Sequence, residues 1–188
     1  MQSRRNIYLF RILYSNGEYY LIRPSIAQGL SEKRKENLLT ALYVGSIFII
    51  IGIVYFVHLP ASLWDSLVEF FTSLTLAQVP GAGISLPAPA NPAALPFIGL
   101  YTAAFQFAIG LGFMEIIILF LRVYLHSPVS RIAETIENIV FWLGTGYLIS
   151  TYLVNMTLSA EWFVFWAGIV MIFGLSLVAR SFVLIAKR

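Results

Sequence analysis

Cysteine is absent from this chain of 188 residues, and aspartate occurs once, at Asp65. Without thiols there is no disulfide scaffold, no thiolate catalysis, no iron–sulfur ligation and no cysteine-based zinc site. Charge is scarce as well: 11% of the residues are Asp, Glu, Lys or Arg, against about 25% in an ordinary soluble domain. So little charge cannot cover a water-facing surface, which excludes a soluble enzyme and a disordered regulator. No Gly-rich phosphate loop, HExxH, GxSxG or paired catalytic carboxylate is present, so no catalytic residue, metal or cofactor is expected. The net charge of +3 is small and gives no basis for nucleic-acid binding. What the chain does have is apolar residues, at 59%, with a mean hydropathy of +0.83. Its expected partner is the lipid bilayer.

A spanning helix needs roughly 20 consecutive, mostly apolar residues. Four stretches meet that length: 38–57, 97–124, 133–155 and 162–186. These are continuous apolar runs without the alternation of barrel strands, so a membrane β-barrel is disfavoured. The fold class read from the sequence is an all-α integral membrane protein. It has a bundle of four transmembrane helices, an outer amphipathic helix and a short cytoplasmic N-terminal arm. The arm covers residues 1–37 and the membrane domain 38–188. Lys and Arg fall before the first span, between the second and third (Arg122, Arg131) and at the end (Arg180, Lys187, Arg188); none lies from His58 to Leu121. The positive-inside rule then places both termini in the cytoplasm and the loop 58–96 outside, in the cell membrane. On this topology His58 and His126 lie on opposite sides of the membrane and cannot share a metal.

In the arm, Asn16-Gly17 separates two runs rich in β-branched and aromatic residues, a hairpin signal. An interfacial helix over about residues 5–14 is the competing reading. In the outer loop, Leu63, Leu67, Phe70, Phe71 and Leu74 share one helical face, which predicts an amphipathic helix on the outer leaflet or across the bundle mouth. The following VPGAGISLPAPANPAALP, rich in Pro and Gly, reads as extended and irregular. It lacks the filter-like backbone motif or acidic ring of a pore loop.

Ionisable groups within hydrocarbon are costly and therefore mark functional candidates. They are Glu115, Glu137 and Arg180, with Gln106 and Asn138 as neutral companions. Glu115 and Arg180 each lie seven residues from a basic boundary, roughly 10 Å deep. On helices running in the same direction, equal depth makes an ion pair between them the economical reading. Ala104, Ala108 and Gly112 form a small-residue seam leading to Glu115, with Gly144 on the third span and Gly45 and Gly52 on the first. Small residues at such spacing let helices approach closely in lipid.

The layout resembles the DoxX/DoxD-like family of small four-span membrane proteins. The resemblance rests on Leu39, Gly45, Phe48 and Gly52 in the first span, then on the amphipathic stretch 63–76 with Pro80, and on Glu115 with Arg122. The Gly-rich run after the acid and a Lys closing the first span are missing, and no catalytic residue carries over. The resemblance implies a membrane subunit associated with quinone-linked oxidation of sulfur compounds. The residues themselves point to a non-catalytic polytopic subunit that anchors or scaffolds a membrane complex or homo-oligomer, alone or with other membrane subunits. The alternatives are a small ion or proton transporter or channel, with Glu115 and Arg180 on its path, and a quinone-linked oxidoreductase subunit.

Overall fold

The computed structural model describes residues 13–15, 18–20, 32–58 and 60–186. The interfacial-helix alternative for residues 5–14 falls almost wholly outside them. Strands β1 (Leu13–Ser15) and β2 (Glu18–Tyr20) pair antiparallel with Ser15 opposite Glu18. This is the strand pairing expected around Asn16-Gly17.

Helix α1 (Glu32–Val57) begins six residues before the apolar run, where charged residues extend it beyond the expected span. Helix α2 (Pro60–Thr72) follows. Then comes a pair of strands, β3 (Leu74–Gln78) and β4 (Ser85–Pro89), antiparallel and in register from Leu74 opposite Pro89 to Gln78 opposite Ser85. Because α2 ends at Thr72, Leu74, expected on the face of the amphipathic helix, lies in the first strand, and the segment expected to be irregular supplies the second strand of a regular hairpin. Its tight turn uses Gly81 and Gly83, whose φ values of 78° and 64° suit residues without a Cβ. Pro87 and Pro89 occupy alternate register positions, so the N–H groups of Leu86 and Ala88 remain available to β3.

Helix α3 (Leu95–Tyr124) carries proline in its first turn, where the missing N–H costs nothing. A turn with His126 at φ 56° leads to α4 (Val129–Leu148), which continues directly into a π-helical segment, Ile149–Val154. Helix α5 (Glu161–Ala186) closes the described chain. Three helical segments are long and apolar enough to cross a membrane: Arg34–Val57, Phe97–Tyr124 and Glu161–Ala186. The molecule is therefore mainly helical and built for a bilayer.

The four long helices pack in series. Helix α1 lies along α3, α3 along α4, and α4 along α5. Close approach within this row depends on glycine: a Cβ at Gly112 would collide with Leu143, and at Gly144 or Gly146 it would come within 2.8 Å of Ile172 or 2.7 Å of Ile109. At the hairpin end, Phe70 of α2 stacks edge-on against Phe97 and Tyr101 of α3 and tilts against Trp162 of α5. The Trp162 indole donates to the Pro87 carbonyl at 3.2 Å, and the Tyr101 hydroxyl to Pro92 at 3.1 Å. An apolar core of Phe97, Ala108, Leu148, Leu153 and Phe165 lies beneath them. The opposite end of the row, with the α3–α4 turn, is polar.

Candidate functional site

Glu115 is the most buried charged residue described, at 3% exposure. Gly112 lies on the same helix one turn earlier and lets α4 come close enough for the Asn138 amide to donate to Glu115 Oε1 at 2.7 Å. From α1, the Tyr43 side chain faces the same space beside Glu115. These groups line a cavity of about 160 Å³ between three helices. Leu39, Thr40 and Tyr43 come from α1, Glu115, Ile118 and Arg122 from α3, and Asn138 from α4.

Two turns further along α3, Arg122 ties the helix ends together. Its guanidinium donates to the Arg131 carbonyl and, at 2.7 Å, to the hydroxyl of the buried Thr135. Glu36 of α1 lies 3.7 Å from Arg122 and 3.9 Å from Arg131. Arg131 pairs at 2.9 Å with Glu134. Lys35 donates to the Leu125 carbonyl at the end of α3, where a helix terminus favours positive charge.

The structure separates the residues expected to act together. Arg180 does not meet Glu115: it pairs with Glu137 at 3.0 Å and approaches Glu134 at 4.0 Å. The reason is the packing order, since α4 stands between the acid on α3 and the base on α5. On α4, the neighbouring Glu137 and Asn138 are about 100° apart around the axis, so one reaches α5 and the other α3. Gln106 also leaves the cluster, because its carbonyl lies 3.1 Å from His58 Nε2 towards the hairpin end.

The small-residue seam is revised in the same way. Ala108, Gly112 and Gly144 lie in helix contacts, but Gly45 and Gly52 have nothing within 4 Å of a would-be Cβ. Ala104 is exposed, on the wall of an apolar groove of about 320 Å³ between α1, α2 and α3. A larger apolar groove, about 660 Å³, lies between the hairpin and α5.

Sequence reasoning passed over Tyr43, Glu36, Arg131, Glu134 and Thr135 as site residues. The available signal was the Glu134–Glu137–Asn138 spacing, which marks two faces of one helix rather than one. Among the described residues, no group of three or more His, Asp or Glu side chains is placed to hold a metal ion. The cluster can fix helix ends by charge and hold a small polar or charged species in the Glu115 cavity. No family model matches the chain, and neither a curated protein nor a solved structure matches it.

Proposed function

We propose that the protein is a four-span protein of the cell membrane, with both termini in the cytoplasm, that anchors or scaffolds a membrane assembly without catalysing a reaction. The fourth span is α4 with its π-helical extension, 20 and 6 residues long, or about 35–40 Å. It starts at the polar end of the row, and the bond from Trp162 to Pro87 supports its finishing at the hairpin end.

The observation that carries the scaffolding role is the outward side of α1. This helix packs along α3 and leaves Phe48, Phe56, Gly45 and Gly52 uncovered. An exposed small-residue surface between large apolar side chains suits close helix–helix docking in lipid, with a second copy or another subunit. The test is oxidative crosslinking of Gly52→Cys in native membranes, since the chain has no other thiol. A crosslinked homodimer or a defined heavier adduct is the expected result. A monomer that crosslinks no more than the same variant placed at Val170 on α5 would sink the reading.

A second reading, movement of an ion or proton, is favoured by the cavity on Glu115. Liposomes containing the purified protein would then pass ions or protons faster than empty vesicles, and Glu115→Gln would abolish the difference.

A further inference from the structure

Among the described residues, four carboxylates and three arginines gather at the polar end of the helix row. Glu36 lies within 4 Å of Arg122 and Arg131, Glu134 of Arg131 and Arg180, and Glu137 of Arg180. Glu115 is left over. Among the described residues its hydrogen-bond partner is the neutral Asn138 amide, Tyr43 lines the cavity beside it, and the Arg122 guanidinium at the far side of the cavity is engaged by Arg131, Thr135 and Glu36. Of these four carboxylates, the one with no arginine within 4 Å among the described residues is also the most buried. A lone buried carboxylate among apolar helices is strongly disfavoured unless a positive charge joins it.

The surroundings accommodate a proton. In the acid form, the Glu115 hydroxyl can donate to the Tyr43 oxygen while Asn138 keeps donating to Oε1. In the ionised form, Asn138 donates to the carboxylate and the Tyr43 hydroxyl is free to turn towards it. The cavity extends from Glu115 past Thr40, which is exposed, to Arg122. At about 30 Å³ per molecule, its volume accepts about five waters, enough for a hydrogen-bonded path. One wall of it is α1, which packs along α3, touches α2 more lightly and is tied at its polar end by Glu36 and Lys35.

We propose that Glu115 is an exchangeable proton-binding site, filled through this cavity from the end bearing the α3–α4 turn, and that its occupancy holds α1 against α3 and α4. Binding converts the carboxylate and one proton from water into the neutral acid; release returns the proton by the same route. Once ionised, Glu115 needs water around it, and the hydrated cavity pushes the α1 wall outwards. The charged groups facing the site are Arg122 from α3 and, around it, Glu36 and Lys35 from α1 and Arg131 and Glu134 from α4. Glu137 is taken up by Arg180 of α5. This inference does not depend on what covers the outward face of α1.

The test uses the full-length protein in lipid nanodiscs. Infrared difference spectra between about pH 5 and pH 9 should show a protonated-carboxyl band that fades as the pH rises and is missing in Glu115→Gln. Spin labels at Leu38→Cys on α1 and Tyr124→Cys on α3, both exposed, should move apart over the same pH range, and the Glu115→Gln background should keep them together. The infrared titration on wild-type protein stands even if Glu115→Gln does not fold, and Tyr43→Phe should then displace its midpoint. A band absent throughout, or present and unchanged at every pH, overturns the proposal. So does a label distance that follows sodium or potassium at fixed pH rather than the proton.

Discussion

Two neighbouring residues, Glu137 and Asn138, divide the polar groups of the helix row into separate sets. Glu137 reaches Arg180 on α5, and Asn138 reaches Glu115 on α3. A double-mutant cycle on stability should therefore return a coupling of about 0.5–3 kcal/mol for Arg180→Met with Glu137→Leu, and none for Arg180→Met with Glu115→Leu. Equal coupling in both cycles would contradict this geometry. An expected depth for Glu115 and Arg180 was readable from distance to the basic boundaries. Their rotational phase was not, because a continuous apolar run has no polar stripe from which to read which side faces which neighbour. The glycines show the same limit. Gly45 and Gly112 look alike in sequence, yet a methyl group at Gly112 meets Leu143 and one at Gly45 meets nothing. Gly112→Ala should cost about 1–3 kcal/mol of stability, and Gly45→Ala should stay within about 0.5 kcal/mol, measured by denaturant unfolding of the purified protein in mild detergent.

Among the elements, α2 and the β3–β4 hairpin form a cap over the helix row, and its anchor is Phe70. The period-3.6 pattern correctly marked a helix here, though one that ends at Thr72 and does not reach Leu74, and it placed Phe70 and Phe71 on one apolar face. They point differently: Phe70 joins Phe97, Tyr101 and Trp162, whereas Phe71 is 62% exposed. Adjacent residues on a helix are about 100° apart, so a broad apolar stripe cannot say which of the two enters the core. Phe70→Ala should lower stability by about 3 kcal/mol or more, and Phe71→Ala by far less; a reversed order would mean that the cap is seated otherwise. The hairpin was hidden by its own composition. Prolines normally argue against a strand, and only the pairing register reveals that both fall at alternate positions. Its turn depends on two residues at positive φ, so Gly83→Val should destabilise the cap, with about 1–2 kcal/mol from backbone strain alone. Hydrogen exchange at the amides of Leu86 and Ala88 reports that loss locally.

For the whole molecule, the decisive question is whether α4 crosses the bilayer as α1, α3 and α5 are long and apolar enough to do. Its composition alone argues weakly, since Arg131, Glu134, Glu137 and Asn138 fall in its first three turns. Packing supports a crossing where composition leaves it open: α4 runs between α3 and α5, Glu137 and Asn138 are engaged by Arg180 and Glu115, and Arg131 and Glu134 pair with each other beside Glu36. A helix whose polar side chains are all engaged by its neighbours can cross at a lower hydropathy than an isolated one. Charge agrees with this, because the Asn155–Glu161 connection has no Lys or Arg, as expected of an external loop. Three single-cysteine variants separate the topologies. Ser85→Cys in the hairpin should react with an impermeant thiol reagent on intact cells, and Ser130→Cys at the start of α4 should react only after lysis. Both outcomes hold with three spans or four. Ser159→Cys, exposed in the α4–α5 connection, discriminates. With four spans it reacts from outside like Ser85→Cys, whereas with α4 kept on the inner surface it stays protected until the cells are opened. Ser130 serves better here than Ser127, whose side chain is buried. Protection of Ser159→Cys on intact cells would remove α4 from the membrane-spanning set and put the C-terminus outside.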